Sequence, residues 1–399
     1  MANILLITNF YPPIESIATN RMIAFSKYLQ EFGHNVFVIT VGEQNKTVDE
    51  QIKTYYLKNS TCISLANTNK KENIIKHNFK CLYNIFLSSC GFNPYSNWEK
   101  RAIKEGNRII KRNNINIVIS SYPDISTMAI AYKLKTMNSI KWIADMRDAL
   151  WSETVAEKFR KKLIRIGTQL LNHSDVILSV SKPQLLGYKR ILGNDAKIFS
   201  EIRNGYDFDV KIKNIDNNFF HIIYAGNFYG ERKPYNFFEA IEMLIKEKRI
   251  DLKVTIVGNH SPIKIPKELK NTVFNIDRLP YEKLIKYLQE NADVLLLISP
   301  TSIEDGTYTG KLFDYIGCYK PILGLVPCND VAAKLIVESD LGYVSENENI
   351  VSIKNVVWQA YSDWRQKKPF CPNEFVIQKH HRKEQIQLLD NIIREIEDI

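Results

Sequence analysis

The chain has 399 residues, 45% of them hydrophobic and 25% charged, a folded globular composition with enough length for two cores. No stretch reaches the roughly 18 consecutive apolar residues of a membrane span, and the short apolar start at 4–7 has no basic flank and meets Asn9 and Pro12, so it reads as a buried strand, not a secretion signal. The net charge of +10 is uneven: residues 1–200 hold 28 Lys/Arg against 15 Asp/Glu, while the remainder holds 26 against 29. Residues 70–112 alone carry ten basic against three acidic residues, a local excess that seeks phosphate on nucleic acid, lipid headgroups or an acidic substrate.

In chain order, a strand is expected over 3–8, followed by the rigid turn Asn9-Phe10-Tyr11-Pro12-Pro13 and a helix over 18–32 that carries Arg21 and ends at Gly33-His34. A second apolar run covers 36–41. Residues 41–110 lack clear periodicity and read as a mixture of short strands and basic amphipathic helices. A buried strand follows at 115–120, then the loop Tyr122-Pro123-Asp124, a helix to 135, and an apolar run at 142–144 leading into Asp145-Met146-Arg147-Asp148. The segment 156–171 (AEKFRKKLIRIGTQLL) is basic and amphipathic, either a membrane-surface helix or an ordinary surface helix. The run 176–180 closes the series. Short apolar runs alternating with helices indicate parallel βαβ units.

The pattern restarts after the turn-rich segment at 201–207, with Asn204-Gly205 as its strongest punctuation. Strands are expected at 222–225, 254–257, 294–298 and 321–325, and helices at 235–248, 281–291 and from 310 to 316. A last helix over 374–397 has no obvious place on the second sheet, and His380-His381 within it read as part of a solvated face. The six cysteines form no CxxC pair and read as free thiols of a reducing cytosol. The seven histidines show no metal-ligand spacing, so no metal is expected.

Ligands of doubly wound sheets bind beyond the carboxyl ends of the strands. Two loops of the second half sit there. The first, 226–234, offers glycines for close backbone approach and adjacent Arg232 and Lys233 for phosphate, or is a solvated turn. The second, 305–314, places Thr307, Thr309 and Gly310 before a helix whose amides and dipole favour an anion, with Lys311 and Asp314 on one face; the plain alternative is a capped amphipathic helix. It is not a Walker loop, because Leu312 follows Lys311, and no GxGxxG occurs in either half, which speaks against NAD or FAD. In the first half, Asp145 reads as a structural ion pair or a catalytic acid, and Arg147 and Asp148 as functional.

Together these segments resemble the GT-B glycosyltransferases, in particular the retaining family four. The resemblance runs through Tyr11-Pro12-Pro13 and Arg21, Trp142-Ile143-Ala144-Asp145-Met146-Arg147-Asp148 to Trp151, Ser174-Asp175-Val176-Ile177, Arg203-Asn204-Gly205-Tyr206-Asp207, and Lys311-Leu312-Phe313-Asp314-Tyr315 with Lys320-Pro321. It implies two Rossmann-like domains facing across a cleft. The first is an acceptor-binding domain over 1–205 with the helix at 377–399 returning to it, and the second a donor-binding domain over 206–376. It also implies transfer from a UDP- or GDP-sugar to a saccharide or lipid-linked acceptor in bacterial polysaccharide synthesis, in the cytoplasm or against the inner face of the membrane, without cofactor. The donor would meet Asn227, Tyr229, Arg232, Lys233, Gly258, Arg278, Leu279, Thr307, Thr309, Gly310, Lys311 and Asp314. The acceptor would meet Tyr11, Pro13, Ser16 and Arg21, with Arg147 and Asp148 beside the reacting sugar.

Three departures stand out. Ser16-Ile17-Ala18 replaces the family's glycine pair. Gly306 occupies the position of its first acid, leaving Glu304 or Asp305 to substitute, and Asp314 replaces the longer second acid. A nucleotide-sugar epimerase, an inactive partner subunit and a nucleic-acid binder are the rival readings, the last without any recognised motif.

Overall fold

The computed structural model describes residues 1–42, 52–59, 95–152, 157–193, 197–211, 218–228, 232–261, 263–299, 306 and 308–397. The chain divides into two compact units, one formed by Met1–Arg203 with Gln385–Ile399, the other by Asn204–Glu384. The returning segment thus begins at Gln385 and not at 377.

The first unit contains β1 (Asn3–Ile7), α1 (Ile17–Glu31), β2 (Asn35–Val41), β3 (Lys53–Leu57), α2 (Ser96–Asn113), β4 (Ile117–Tyr122), α3 (Ile125–Met137), β5 (Lys141–Met146), α4 (Glu157–Leu171), β6 (Val176–Ser179), α5 (Lys182–Leu192) and β7 (Ile198–Glu201). The second contains β8 (Phe220–Ala225), α6 (Tyr235–Lys248), β9 (Leu252–Val257), β10 (Val273–Ile276), α7 (Tyr281–Asn291), β11 (Val294–Ile298), α8 (Gly310–Gly317), β12 (Ile322–Leu325), α9 (Val331–Glu338), β13 (Gly342–Ser345), α10 (Ile350–Arg365) and α11 (Glu374–Lys379). Finally, α12 (Arg382–Glu397) starts in the second unit and continues into the first.

Each unit is built on one parallel sheet, ordered β3-β2-β1-β4-β5-β6-β7 in the first and β10-β9-β8-β11-β12-β13 in the second. Both orders reverse direction beside the first strand of the unit, which opens a crevice at the carboxyl ends of β1 and β4, and of β8 and β11. Central strands are buried on both faces, so they read as unbroken apolar runs; on β1, Ile4 and Leu6 face the α1/α12 layer while Leu5 and Ile7 face the α2/α3 layer.

One expectation changes. The final helix is broken: α11 stops at His380, whose backbone N–H caps the preceding turn, and α12 starts two residues later. His380 is buried against the Phe313 ring and His381 packs edge-on to Tyr206, so the pair marks a packed break and not a solvated face. Of the two readings of the basic helix α4, the packing is that of an ordinary surface helix, with its apolar side turned inward and Lys161, Lys162 and Arg165 exposed. Leu163, Ile164 and Leu170 pack against the core of the first unit, and at Gly167 the helix comes close enough that a Cβ would lie 2.6 Å from a Leu150 methyl.

Candidate functional site

In the second unit the site grows from the end of β8. Gly226 leaves the strand at φ +113°, in the left-handed region, and a Cβ there would lie 2.8 Å from Lys311 Cε. That space lets Lys311, in the first turn of α8, lie back over the strand end. Its Nζ donates to the Tyr224 hydroxyl at 2.6 Å and sits 4.1 Å from the ring centroid. Burial, reinforced by the nearby Arg232 guanidinium, lowers the Lys311 pKa to about 7. Gly226→Ala is expected to strain the backbone and push Lys311 out of place, costing about 1 kcal/mol or more of stability in a urea melt. It should also weaken nucleotide binding in a titration.

Thr309 is the N-cap of α8, yet its side chain makes no capping bond, and its Oγ1 is buried without a partner. An uncapped helix start beside two cations is chemically an anion site. One turn further on, Asp314 accepts from the Tyr281 hydroxyl at 2.6 Å. Burial raises its pKa to about 6, against the opposing pull of Tyr281 and Arg382. Tyr281 therefore belongs to the site. Sequence reasoning passed over it, although it directly follows Arg278-Leu279-Pro280.

The neighbouring loops are braced to each other. The Asn227 side chain accepts from the His260 N–H at 2.7 Å, and Phe228 N–H donates to the Asn259 side chain at 3.1 Å. Asn227 is thus a loop brace, and Asn259 its unpredicted counterpart. Gly258 turns at φ +75° against the Arg278 backbone; Arg278 is exposed and Leu279 half-buried on the unit's core. Among the predicted donor residues, Arg232 lies near Lys311, which follows Thr309 and Gly310 at the helix start, while Lys233 is exposed. Tyr229 and Thr307, with Glu304 and Asp305, lie outside the described residues.

In the first unit, Asp145 is fully buried and receives Arg21 in a fork, Nε at 3.1 Å and Nη2 at 2.7 Å, plus the Ser121 hydroxyl at 3.1 Å. The same guanidinium donates to the carbonyls of Arg203 and Ile202 at 3.0 and 2.9 Å. These contacts make Arg21 a buried clamp, where an acceptor contact was expected, and Asp145 its counter-ion, the structural ion pair that was one of its two readings. Tyr11 is likewise buried, its hydroxyl 2.9 Å from that of Ser26, and Ser16 is the N-cap of α1, accepting from Thr19 N–H at 3.0 Å. Of the four residues expected to meet the acceptor, Pro13 alone is exposed.

Arg147 and Asp148, adjacent in sequence, part company. Arg147 Nε donates to the Ser121 hydroxyl and the Tyr122 carbonyl at 3.0 and 2.9 Å, with the guanidinium 5.2 Å from the Phe10 ring centroid. Its Nη2 is buried without a partner, and burial lowers its pKa against the pull of Asp145 and Asp148. Asp148 is exposed. Two further residues cluster at these strand ends: Asn9 donates to Asp124, which also accepts from Ser126 N–H at 2.8 Å and whose pKa burial raises to about 6. Asp124 was legible only as part of a turn.

No protein-family profile and no curated protein sequence matches the chain. Solved structures do. Anabaena HepE in complex with UDP-glucose aligns with 99% of this chain and 100% of its own at 12% identity and a TM-score of 0.65. The lipopolysaccharide outer core galactosyltransferase WaaB, in its apo form, covers 98% and 99% at 13% identity and 0.61. The structure of TarM covers 98% of each chain at 12% identity and 0.63. Two doubly wound parallel units, with this likeness along nearly the whole chain, give the protein the fold of the GT-B glycosyltransferases.

Proposed function

We propose that the protein is a glycosyltransferase. It moves a sugar from a UDP- or GDP-sugar to a saccharide or lipid-linked acceptor, with retention at the anomeric carbon, in cytoplasmic assembly of a bacterial surface polysaccharide. The observation that carries this reading is the anion site at the start of α8, where an uncapped helix end, a buried threonine hydroxyl, Lys311 and Arg232 converge. Similarity in fold to HepE, whose structure holds UDP-glucose, supports it.

In this reading Lys311 and Arg232 hold the donor diphosphate and stabilise the charge that grows on it as the glycosidic bond breaks, so the reaction calls for no metal. Asp314, oriented by Tyr281, accepts from ribose hydroxyls. Gly258, Arg278 and Leu279 border the base. In the first unit Arg147 and Asp148 act beside the reacting sugar, Arg147 as an electrostatic stabiliser and Asp148 as an acceptor of hydroxyl hydrogen bonds.

A panel of nucleotide-sugars screened by thermal shift, followed by assay of nucleotide release, tests the reading. One donor is expected to raise the melting temperature and release its nucleotide only when an acceptor is present. Absence of both effects across UDP- and GDP-sugars would sink it.

A further inference from the structure

At the amino ends of the second unit's strands lies an open cavity of about 1230 Å³. Its walls come from the starts of β8, β11, β12 and β13 and from the ends of α8, α9 and α10, all within that unit. Phe220 begins β8 here, whereas the anion site grows from the far end of the same strand, past Ala225. Three helix carboxyl ends therefore converge on the cavity, and their dipoles favour hydrogen-bond donors over anions. The Trp364 ring lies 5.6 Å from that of Phe220, and Tyr319 meets Phe370 edge-on at 5.7 Å. The Tyr343 hydroxyl and Lys368 Nζ both donate to Asp363 Oδ2, at 2.8 and 3.4 Å, which leaves Oδ1 to accept from a ligand. Asp293 and Asp340 add carboxylates to the wall, and Lys320, Arg365 and Lys367 add cations.

The backbone singles out the same place. Among the described residues, the non-glycine positions with positive φ are Asn114, Arg249, Tyr319, Asp340 and Lys367. The last three line this cavity, at +55°, +52° and +52°. Each stands just past a helix end, where glycine is the usual residue because it has no Cβ to strain. A phenol, a carboxylate and an ammonium are kept at these positions against the backbone's preference.

We propose that the cavity binds a neutral saccharide. A sugar ring offers an apolar C–H face to an aromatic ring such as Trp364, and a rim of hydroxyls that both donate and accept. Carboxylates and cations in nearly equal number serve those hydroxyls without selecting a charge. A phosphate-bearing ligand would face three carboxylates and three helix carboxyl ends, and a purely apolar one would strip water from charges it cannot pair. The site stands on the second unit alone, whether or not the anion site binds a donor. Only its use, holding glycan away from the reacting end, rests on the glycosyltransferase reading.

The test is alkylation of Cys371, an exposed thiol on the cavity wall, by iodoacetamide in the full chain, read by peptide mass spectrometry. Maltopentaose, cellopentaose, chitopentaose and inorganic pyrophosphate are titrated in turn. At least one pentasaccharide is expected to slow the reaction of Cys371 and not that of Cys328, which is exposed beyond the carboxyl end of β12. Asp340→Gly/Lys367→Gly removes two lining side chains and gives the backbone its preferred residue, so the half-protecting concentration should rise about tenfold at an unchanged melting temperature. Asn114→Gly/Arg249→Gly, the same change at left-handed positions outside the cavity, should respond like the parent protein. The proposal is overturned if no pentasaccharide protects Cys371, if pyrophosphate protects it better than all of them, or if the two double variants respond alike.

Discussion

Lys311→Met is expected to lower kcat/KM by about 10²–10³-fold while leaving the melting temperature unchanged or slightly raised. The two effects come from one cause. Lys311 is held in a poorly hydrated place over the Tyr224 ring, near Arg232, where its charge is costly until an anion arrives. Methionine keeps the apolar stem and removes the charge, so the fold loses little and the departing diphosphate loses its neutraliser. A melting temperature that falls by many degrees, or turnover equal to the parent enzyme, would refute the role.

The same residue sets a pH dependence. The free-state pKa of about 7 lies below the ordinary lysine value, and a bound diphosphate pulls it back up. Below pH 7 the amine is charged in both states and donor affinity is flat. Above pH 7 binding must take up a proton, so affinity falls by about tenfold per pH unit until the bound-state pKa is reached. Lys311→Arg, charged throughout, should give a flat profile. Calorimetric titration of the donor in buffers of different ionisation enthalpy reads the proton uptake directly.

The second large effect concerns stability. Arg21→Met or Asp145→Leu alone is expected to destabilise the first unit by about 3–5 kcal/mol in urea denaturation, because each leaves a fully buried charge without its partner. The double variant should recover most of that loss, since two apolar side chains of similar volume replace the pair. Full additivity of the two single losses would mean that the pair does not act as a unit. Near-parental stability of Arg21→Met, with loss confined to acceptor KM, would restore the acceptor-binding reading of Arg21.

That contrast indicates what was legible in the chain. Strands such as 3–7 and 294–298 were readable because both faces are buried, so burial and apolar runs coincide. The edge strands β10 and β13 were not, since Val273–Ile276 has two exposed positions and Gly342–Ser345 is mostly half-buried, which breaks the run. At the site, the glycines and Lys311 were readable because a turn and a helix start constrain residue type locally. The Arg21–Asp145 fork joins residues 124 positions apart, and the Tyr281–Asp314 bond joins residues 33 apart. Residue type announces a donor or an acceptor but not its partner; only the packing of α1 on β5, or of α7 beside α8, chooses it.

The tail formed by α12 has a consequence for how the molecule is made. Ile386, Leu389 and Ile393 are buried in the core of the first unit, Asp390 holds the buried His34 at 2.6 Å, and Glu397 pairs with the N-terminal amine at 3.2 Å. The unit formed by Met1–Arg203 therefore lacks part of its core until Gln385–Ile399 has left the ribosome, whereas the 204–384 unit is one uninterrupted piece and can complete itself earlier. A fragment ending at Arg203 should behave as an open, aggregation-prone chain, and addition of a peptide carrying 382–399 should rescue it in trans. In this protein the order of synthesis and the order of completion run in opposite directions.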